Sequence, residues 1–303
     1  MKEFDFMAKR KIAGACSIFL VIVSLSSLFY QQLNLGLDFT GGTLIEVGYE
    51  KPADLTVVRN TLKLSGYKDA IVQHFGKSTD VLVRLAPHEG NKQSIAEKVV
   101  KLLNDVTESG VVLRRVEFVG PQVGDELRDQ SGIAMIIALF VMLVYVSFRF
   151  QFKFALGAVA ALFHDVIITL GFFSVLRIPF DLTVLAAVLA IIGYSLNDTI
   201  VVSDRIRENF RNMRKTDPVG IINISLSQTL GRTIITSLTT MLVLVALFVL
   251  GGELIKGFAI ALIVGVFVGT YSSIYVASNT LLTMGICKED FFHVEAEVVD
   301  DRP

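Results

Sequence analysis

Six runs of predominantly apolar residues, each at least 18 long, run through the sequence: Ile12–Tyr30, Ser131–Phe148, Phe154–Leu176, Leu182–Ser203, Thr233–Gly252 and Gly257–Cys287. A helix needs about 20 such residues to cross a hydrocarbon layer about 30 Å thick. Within that layer every backbone N–H and C=O must be satisfied by the element itself, so helices or closed barrels are the available solutions. The runs therefore predict an α-helical integral membrane protein with six transmembrane helices. Composition agrees, because 52% apolar against 19% charged residues is too apolar for an ordinary soluble domain. The last run has 31 residues, which predicts strong tilt or a helix that continues past the membrane.

The first run follows Lys9, Arg10 and Lys11 and so imitates a signal peptide. Its 19 residues, with no convincing small-x-small site after them, predict an uncleaved anchor. Orientation follows from Lys and Arg in the short connections. The N-terminal tail 1–11 carries Lys2, Lys9, Arg10 and Lys11, and the second connection Arg149 and Lys153. Segment 204–232 carries Arg205, Arg207, Arg211, Arg214, Lys215 and Arg232, whereas the third and fifth connections carry only Arg177 and Lys256. This asymmetry predicts cytoplasmic N- and C-termini, a cytoplasmic loop over 204–232 and a cytoplasmic acidic tail over 288–303. The net charge of -1 gives no electrostatic footprint for nucleic acid. Without Trp, any interfacial belt must come from Tyr and Phe.

Segment 31–130, between the first two spans, is long enough for an outer domain. Thr43–Tyr49 alternates like a strand, and Ala53–Leu64 has helical periodicity. Asp69–Phe75 and Asp80–Ala86 flank a hairpin signal at Gly76–Thr79. Lys92–Val106 reads as a helix and Val111–Val119 as a final strand. The order βαββαβ predicts an α+β, ferredoxin-like periplasmic domain, a fold that decides no function by itself. Gln122–Gln130 reads as an interfacial helix leading into the second span. Gly36–Gly42 matches no nucleotide cradle and reads as a tight exit turn. Cys16 and Cys287 have no metal-site spacing and read as small fillers. No cofactor or metal is expected.

Three features break the apolar pattern inside the spans. Asn197-Asp198 lies in the fourth, with Asp198 seven residues before Arg205. That spacing is about 10 Å along a helix, so the carboxyl is buried yet near the inner surface. A carboxylate at that depth costs about 2.5–3.5 kcal/mol on insertion scales. It serves either as a proton or ion carrier or as half of a structural ion pair. His164-Asp165 lies near the middle of the third span. Adjacent residues diverge on a helix, so the two side chains are expected to face different surroundings, in a relay or a structural hydrogen bond. In the fifth span, Thr229, Arg232, Thr233, Thr236, Ser237 and Thr240 recur at spacings of three and four and form one stripe. Hydroxyls of this kind bind membrane helices together. Arg232 would arrive near the depth of Asp198 and favour its ionised form, against desolvation. Gly265-x-x-x-Gly269 predicts close helix approach in the last span.

These motifs resemble the SecF side of the SecD/SecF family of bacterial protein-export membrane subunits, itself related to the RND (resistance–nodulation–division) transporters. The resemblance rests on GLDFTGG at Gly36–Gly42, VGPQVGDEL at Val119–Leu127, HD at His164–Asp165, GYSLNDTIVVSDRIREN at Gly193–Asn209 and RTIITSLTT at Arg232–Thr240. The family usually has Phe where this chain has Ser203. The resemblance implies a non-enzymatic, proton-driven transport subunit of the bacterial inner membrane. Its partners would be SecD, the SecYEG channel, the translocating preprotein, protons and membrane lipids, with YajC and YidC as further associates. The proton-pathway Asp and its neighbouring Arg map onto Asp198 and Arg232, with Asn197, His164 and Asp165 beside them and Thr233, Thr236, Ser237 and Thr240 in support.

Three other readings compete. A self-sufficient RND exporter carries about a dozen spans and two outer domains, twice what is present. An intramembrane aspartyl protease needs G-x-G-D, whereas Tyr194-Ser195-Leu196-Asn197 precedes Asp198. A structural scaffold would use the buried charges only as helix glue.

Overall fold

The computed structural model describes residues 4–87, 92–107, 110–213, 217–287 and 290. After a short turn, helix α1 spans Arg10–Tyr30. A two-residue strand β1 (Asn34–Leu35) and a four-residue helix α2 (Leu37–Thr40) lead into the outer domain. That domain contains β2 (Gly42–Tyr49), α3 (Leu55–Leu64), β3 (Ile71–Phe75), β4 (Lys77–Leu85), α4 (Lys92–Val106) and β5 (Val111–Val119). Helices α5 (Pro121–Arg149) and α6 (Phe152–Val175) follow, then β6 (Pro179–Phe180), α7 (Leu182–Asn212) and α8 (Pro218–Leu250). The last span combines α9 (Lys256–Ser272), a π turn (Ser273–Ala277) and α10 (Ser278–Thr283).

Six of these helical stretches are long and apolar enough to cross a membrane, as the apolar runs predict. They are not equivalent. The most apolar windows of α6, α7 and the last span are 61, 50 and 39% buried, against 17, 6 and 11% for α1, α5 and α8. The former three make the centre of the bundle, where Leu162, Phe173, Val188, Ile191 and Ile192 pack. Ile136, Phe140 and Val141 of α5 and Ile235, Leu242 and Val243 of α8 face outward.

Several boundaries differ from expectation. Gln122–Gln130 is not a separate interfacial helix but the first part of the continuous α5. Pro121 opens it in the position where its missing N–H costs nothing. Segment 204–232 is mostly helix rather than loop, because α7 runs on to Asn212 and α8 starts at Pro218 behind the Asp217 cap. The two extensions hold each other. Asn209 Nδ2 donates to Ser225 Oγ at 2.8 Å and to Gln228 Oε1 at 2.9 Å. Arg214 and Lys215 lie outside the described residues, as does the acidic tail apart from Cys287's neighbour Asp290.

The outer domain forms one antiparallel sheet in the order β3-β4-β2-β5. Alternation puts Ile45, Val47, Val81, Val83 and Leu85 on one face, where Val58 and Leu62 of α3 and Val99 and Leu103 of α4 cover them. Helix α3 starts two residues later than its periodicity suggests, because Asp54 caps it by accepting from Thr56 N at 2.8 Å. The Thr56 backbone N–H and hydroxyl hold that carboxyl below the usual carboxylate range. The hairpin is tighter than the Gly76–Thr79 signal suggests. Gly76 alone turns the chain at φ 73°, and Phe75 already pairs with Lys77.

The glycine-rich segment after the first span is a joint, not a simple exit turn. β1 pairs in parallel with β6, which lies between α6 and α7. Gly36 N donates to Phe180 O at 2.7 Å, and Leu182 N donates to Asp38 Oδ2 at 3.0 Å. Arg84 of β4 donates to Leu35 O at 2.7 Å and Thr40 Oγ1 at 2.5 Å. Gly41 and Gly42 then turn with φ of 65° and 119°, and a Cβ on Gly42 would lie 2.3 Å from the Leu85 carbonyl oxygen. Gly42→Ala should therefore cost about 1–3 kcal/mol, seen as faster protease cleavage of the outer domain in sealed vesicles. Gly110→Ala, whose Cβ would meet nothing within 4 Å, is the control and should cleave like the parent.

Candidate functional site in the helix bundle

Asp198 lies on the buried face of α7, seven residues before Arg205 in the charged stretch that ends the helix at Asn212. It accepts one hydroxyl on each carboxyl oxygen. Thr233 Oγ1 of α8 donates to Oδ1 at 2.8 Å, and Ser273 Oγ, the first residue of the π turn, donates to Oδ2 at 3.2 Å. Three elements thus meet on one carboxyl group. Asp165 of α6 is wholly buried in the same bundle. Ser195 Oγ and Ser272 Oγ donate to its Oδ2 at 2.5 and 2.7 Å, and His164 Nδ1 lies 2.9 Å from its Oδ1.

The two carboxyl groups are held by neighbours in sequence. Ser195 and Asp198 are three apart on one face of α7. Ser272 and Ser273 are consecutive, and consecutive helical residues diverge, so one reaches α6 and the other α7. Small residues bring the last span close enough. A Cβ on Gly265 would lie 2.3 Å from Ile191 Cδ1, and one on Gly269 would lie 3.2 Å from Ser195 Cβ. The close approach expected from Gly265-x-x-x-Gly269 is thus made against α7.

His164 and Asp165 do not face different surroundings. Their side chains hydrogen-bond each other, because the His164 ring turns back along α6 and stacks on Tyr271 at 6.1 Å. His164 Nε2 is buried without a hydrogen-bond partner among the described residues. Beyond it, Tyr271 Oη donates to Ala13 O at 2.7 Å and meets Ser17 Oγ of α1 at 3.0 Å.

The stripe on α8 divides by role. Thr233 serves Asp198. Ser237 bonds Thr270 Oγ1 of α9 at 2.7 Å, and Thr240 Oγ1 accepts from Tyr194 Oη at 3.4 Å. Thr229 and Thr236 return their hydroxyls to carbonyls of their own helix. Arg232 is exposed and, among the described residues, forms no ion pair with Asp198. Asn197 is also exposed, on the outward side of α7 away from Asp198. Ser203 is buried in the bundle.

Sequence reasoning missed Ser195, Ser272, Ser273 and the π turn. The serines carried a signal, being hydroxyls at helical spacing from a buried carboxylate or inside an apolar run. The π turn had none. Such turns insert one residue into a helix and occur often at functional sites. Among the described residues no group of three His, Cys, Asp or Glu could hold a metal ion. Nor do Asp165 and Asp198 share a hydrogen bond, so they do not form the carboxylate dyad that proteolysis requires. The arrangement offers two carboxyl groups, each able to exchange a proton while its hydroxyl partners reorient.

Comparisons with known proteins agree on the family. A family model described as "Protein export membrane protein SecD/SecF, C-terminal" matches residues 98–286, and one described as "SecD/SecF GG Motif" matches residues 26–53. The chain is 52% identical to the protein translocase subunit SecF of Vibrio alginolyticus, over 98% of this chain and 94% of that one. It is 53% identical to the protein translocase subunit SecF of Pseudomonas aeruginosa, over 99 and 97%. Among solved structures it resembles SecDF of Thermus thermophilus, described as a translocon-associated membrane protein, at 37% identity and a TM-score of 0.84. That match covers 93% of this chain and 39% of the longer SecDF chain. A SecDF in a super-membrane-facing form matches at 36% identity and a TM-score of 0.69.

Truncating the hydroxyl on Asp198 tests the geometry. Thr233→Val should lower bundle stability by about 1–3 kcal/mol by leaving a buried acceptor unsatisfied, read as a lower thermal midpoint in detergent. Thr233→Ser should retain the parent value.

Proposed function

The chain belongs to the SecF family of protein translocase subunits, and from that premise we propose that it pairs with SecD and drives late stages of protein export with the proton gradient. In this reading the chain acts beside the SecYEG channel in the bacterial inner membrane and has no catalytic activity of its own. YajC and YidC are further candidate associates, and the translocating preprotein is the client. Both termini lie in the cytoplasm. The domain over 31–130 is periplasmic and ferredoxin-like, a class supported by its βαββαβ order and antiparallel strand order.

Asp198 carries the proposal. It is a buried carboxyl group met by hydroxyls from two other spans, in the stretch nearest the cytoplasmic charges. A proton that arrives there changes which group donates, and so changes how α7, α8 and the last span fit. Asp165 and His164 form the second, deeper station. Arg232 tunes Asp198 by its charge across the gap, and Asn197 and Arg232 line the outward side of α7 and α8, where a SecD helix would complete the path. The outer domain is tied through β1 and β6 to the connection between α6 and α7. Movement at the carboxyl groups is thereby passed to the domain that would meet the client.

Asp198→Asn separates this function from a purely structural scaffold. In assembled complex it should abolish the proton-gradient-dependent part of export while leaving assembly intact. Export at the parent level would overturn the proton reading. Arg232→Leu should also stop proton-coupled work without loss of assembly, and failure of assembly would assign Arg232 a structural role. Both are read in inverted vesicles as preprotein release with and without an imposed gradient.

A further inference from the structure

Ser272 and Ser273 each have two acceptors and one hydrogen. Ser273 Oγ lies 3.2 Å from Asp198 Oδ2 and 3.0 Å from the Thr270 carbonyl oxygen. Ser272 Oγ lies 2.7 Å from Asp165 Oδ2 and 3.1 Å from the Gly269 carbonyl oxygen. A hydroxyl donates to one acceptor at a time. We propose that this serine pair, at the start of the π turn, is the coupling that makes each buried carboxyl group respond to the protonation of the other. The inference rests on the reading of Asp198 as a titrating group.

An ionised carboxylate holds the serine hydrogen, because a charge-assisted bond is the stronger of the two choices. Once the carboxyl group takes a proton, its own O–H donates to the serine oxygen. The serine hydrogen then swings to the carbonyl three residues back. For Ser272 that carbonyl is Gly269 O, which already accepts the backbone N–H of Ser273. Protonation of Asp165 therefore loads the backbone bond that positions Ser273, and Ser273 in turn holds Asp198. By linkage the same coupling acts in reverse, so the state of Asp198 alters that of Asp165. Hydroxyls bonded back to their own helix bend it, and a π turn already departs from the regular i→i−4 ladder. The turn is also packed tightly, since a Cβ on Gly157 of α6 would lie 3.1 Å from Ala277 O. A change in the turn is thus felt by α6 as well as α7.

The titratable and charged groups on the surrounding elements are few. Among the described residues they include His164 on α6, Tyr194 on α7, Arg232 on α8, Cys16 on α1, and Tyr271 and Tyr275 in the last span, whose rings lie 5.3 Å apart. Arg149 of α5 is paired with Asp204 at 2.6 Å near the inner end of α7. None of these bridges the two carboxyl groups by hydrogen bonds, whereas the two serines do, through a single peptide unit.

Infrared difference spectroscopy on the assembled complex in vesicles tests this, with each protonated-carboxyl band assigned by its loss in Asp165→Asn or Asp198→Asn. With both serines present, Asp198→Asn should shift the Asp165 band. In the Ser272→Ala/Ser273→Ala variant that shift should vanish, and Ser273→Thr should keep it. The alanine variant should also move the pH midpoint of gradient-driven export by about one to two units, the worth of one charge-assisted hydrogen bond. A band shift that persists unchanged in the double alanine variant overturns the proposal. If the double variant does not assemble, Ser273→Ala against Ser273→Thr reads the same quantity, with loss in the first and retention in the second. If Asp198→Asn exports like the parent, the proton reading fails by itself. The coupling is still decided by whether the alanines release the Asp165 band from the residue at 198.

Discussion

Two hydroxyls on Asp198, one from α8 and one from the last span, tie three helices together at one buried carboxyl group. Apolar side chains against lipid give no preference for one helix rotation over another, because lipid tails are as apolar as leucine. A buried carboxyl group does. Rotating α7 by one residue would pull Asp198 off Thr233 and Ser273 and leave an acceptor unsatisfied at a cost of about 1–3 kcal/mol. The same holds for Asp165, which Ser195 and Ser272 pin between α7 and α9. Small residues permit this geometry and hydroxyls specify it. Gly265 and Gly269 let the last span come near α7, but a glycine face alone would allow it to slide.

The same interactions set the chemistry open to Asp198. A carboxylate that only stabilised helices would be best served by a cation at contact distance, as Lys153 serves Asp290 at 2.7 Å near the membrane edge. Asp198 is instead given neutral donors, with Arg232 outside hydrogen-bond reach on the exposed side of α8. Neutral hydroxyls can accept as readily as they donate, so the pocket tolerates both protonation states with the same partners. An arginine at contact distance would not. That difference in donor type, more than burial itself, favours a proton-exchanging role over a structural ion pair.

The spans and most outer-domain elements were legible because each is set by a local pattern. Lys92–Val106 and Val111–Val119 have the predicted bounds, since an apolar face and flanking breakers fix both ends. Where bounds moved, a neighbour decided. Asn209 reaches across to Ser225 and Gln228 and lets α7 and α8 continue beyond the membrane, which no single-helix pattern reveals. At the site, the sequence singles out Asp198, Asp165 and Thr233 by polarity in apolar surroundings. Arg232 was harder to place: its spacing puts it beside Thr233, but spacing alone does not say that it turns outward. Ser272 and Ser273 look like helix glue until the π turn is known, and a one-residue insertion in a helix leaves no mark in hydropathy.

The joint between the bundle and the outer domain follows the same logic on a larger scale. β1 and β6 pair over only two residues, and a ladder that short is weak by itself. Arg84, reaching from the sheet to Leu35 O and Thr40 Oγ1, and Asp38, accepting from the first amide of α7, add directional bonds on either side of it. These bonds tie the start of α7 to the sheet through α2. Gly41 and Gly42 fit where side chains would meet Pro121 at the start of α5 and Leu85 O of the neighbouring strand β4, respectively. The glycine-rich segment thus joins the sheet to the first residue of α7, the helix that also carries Asp198.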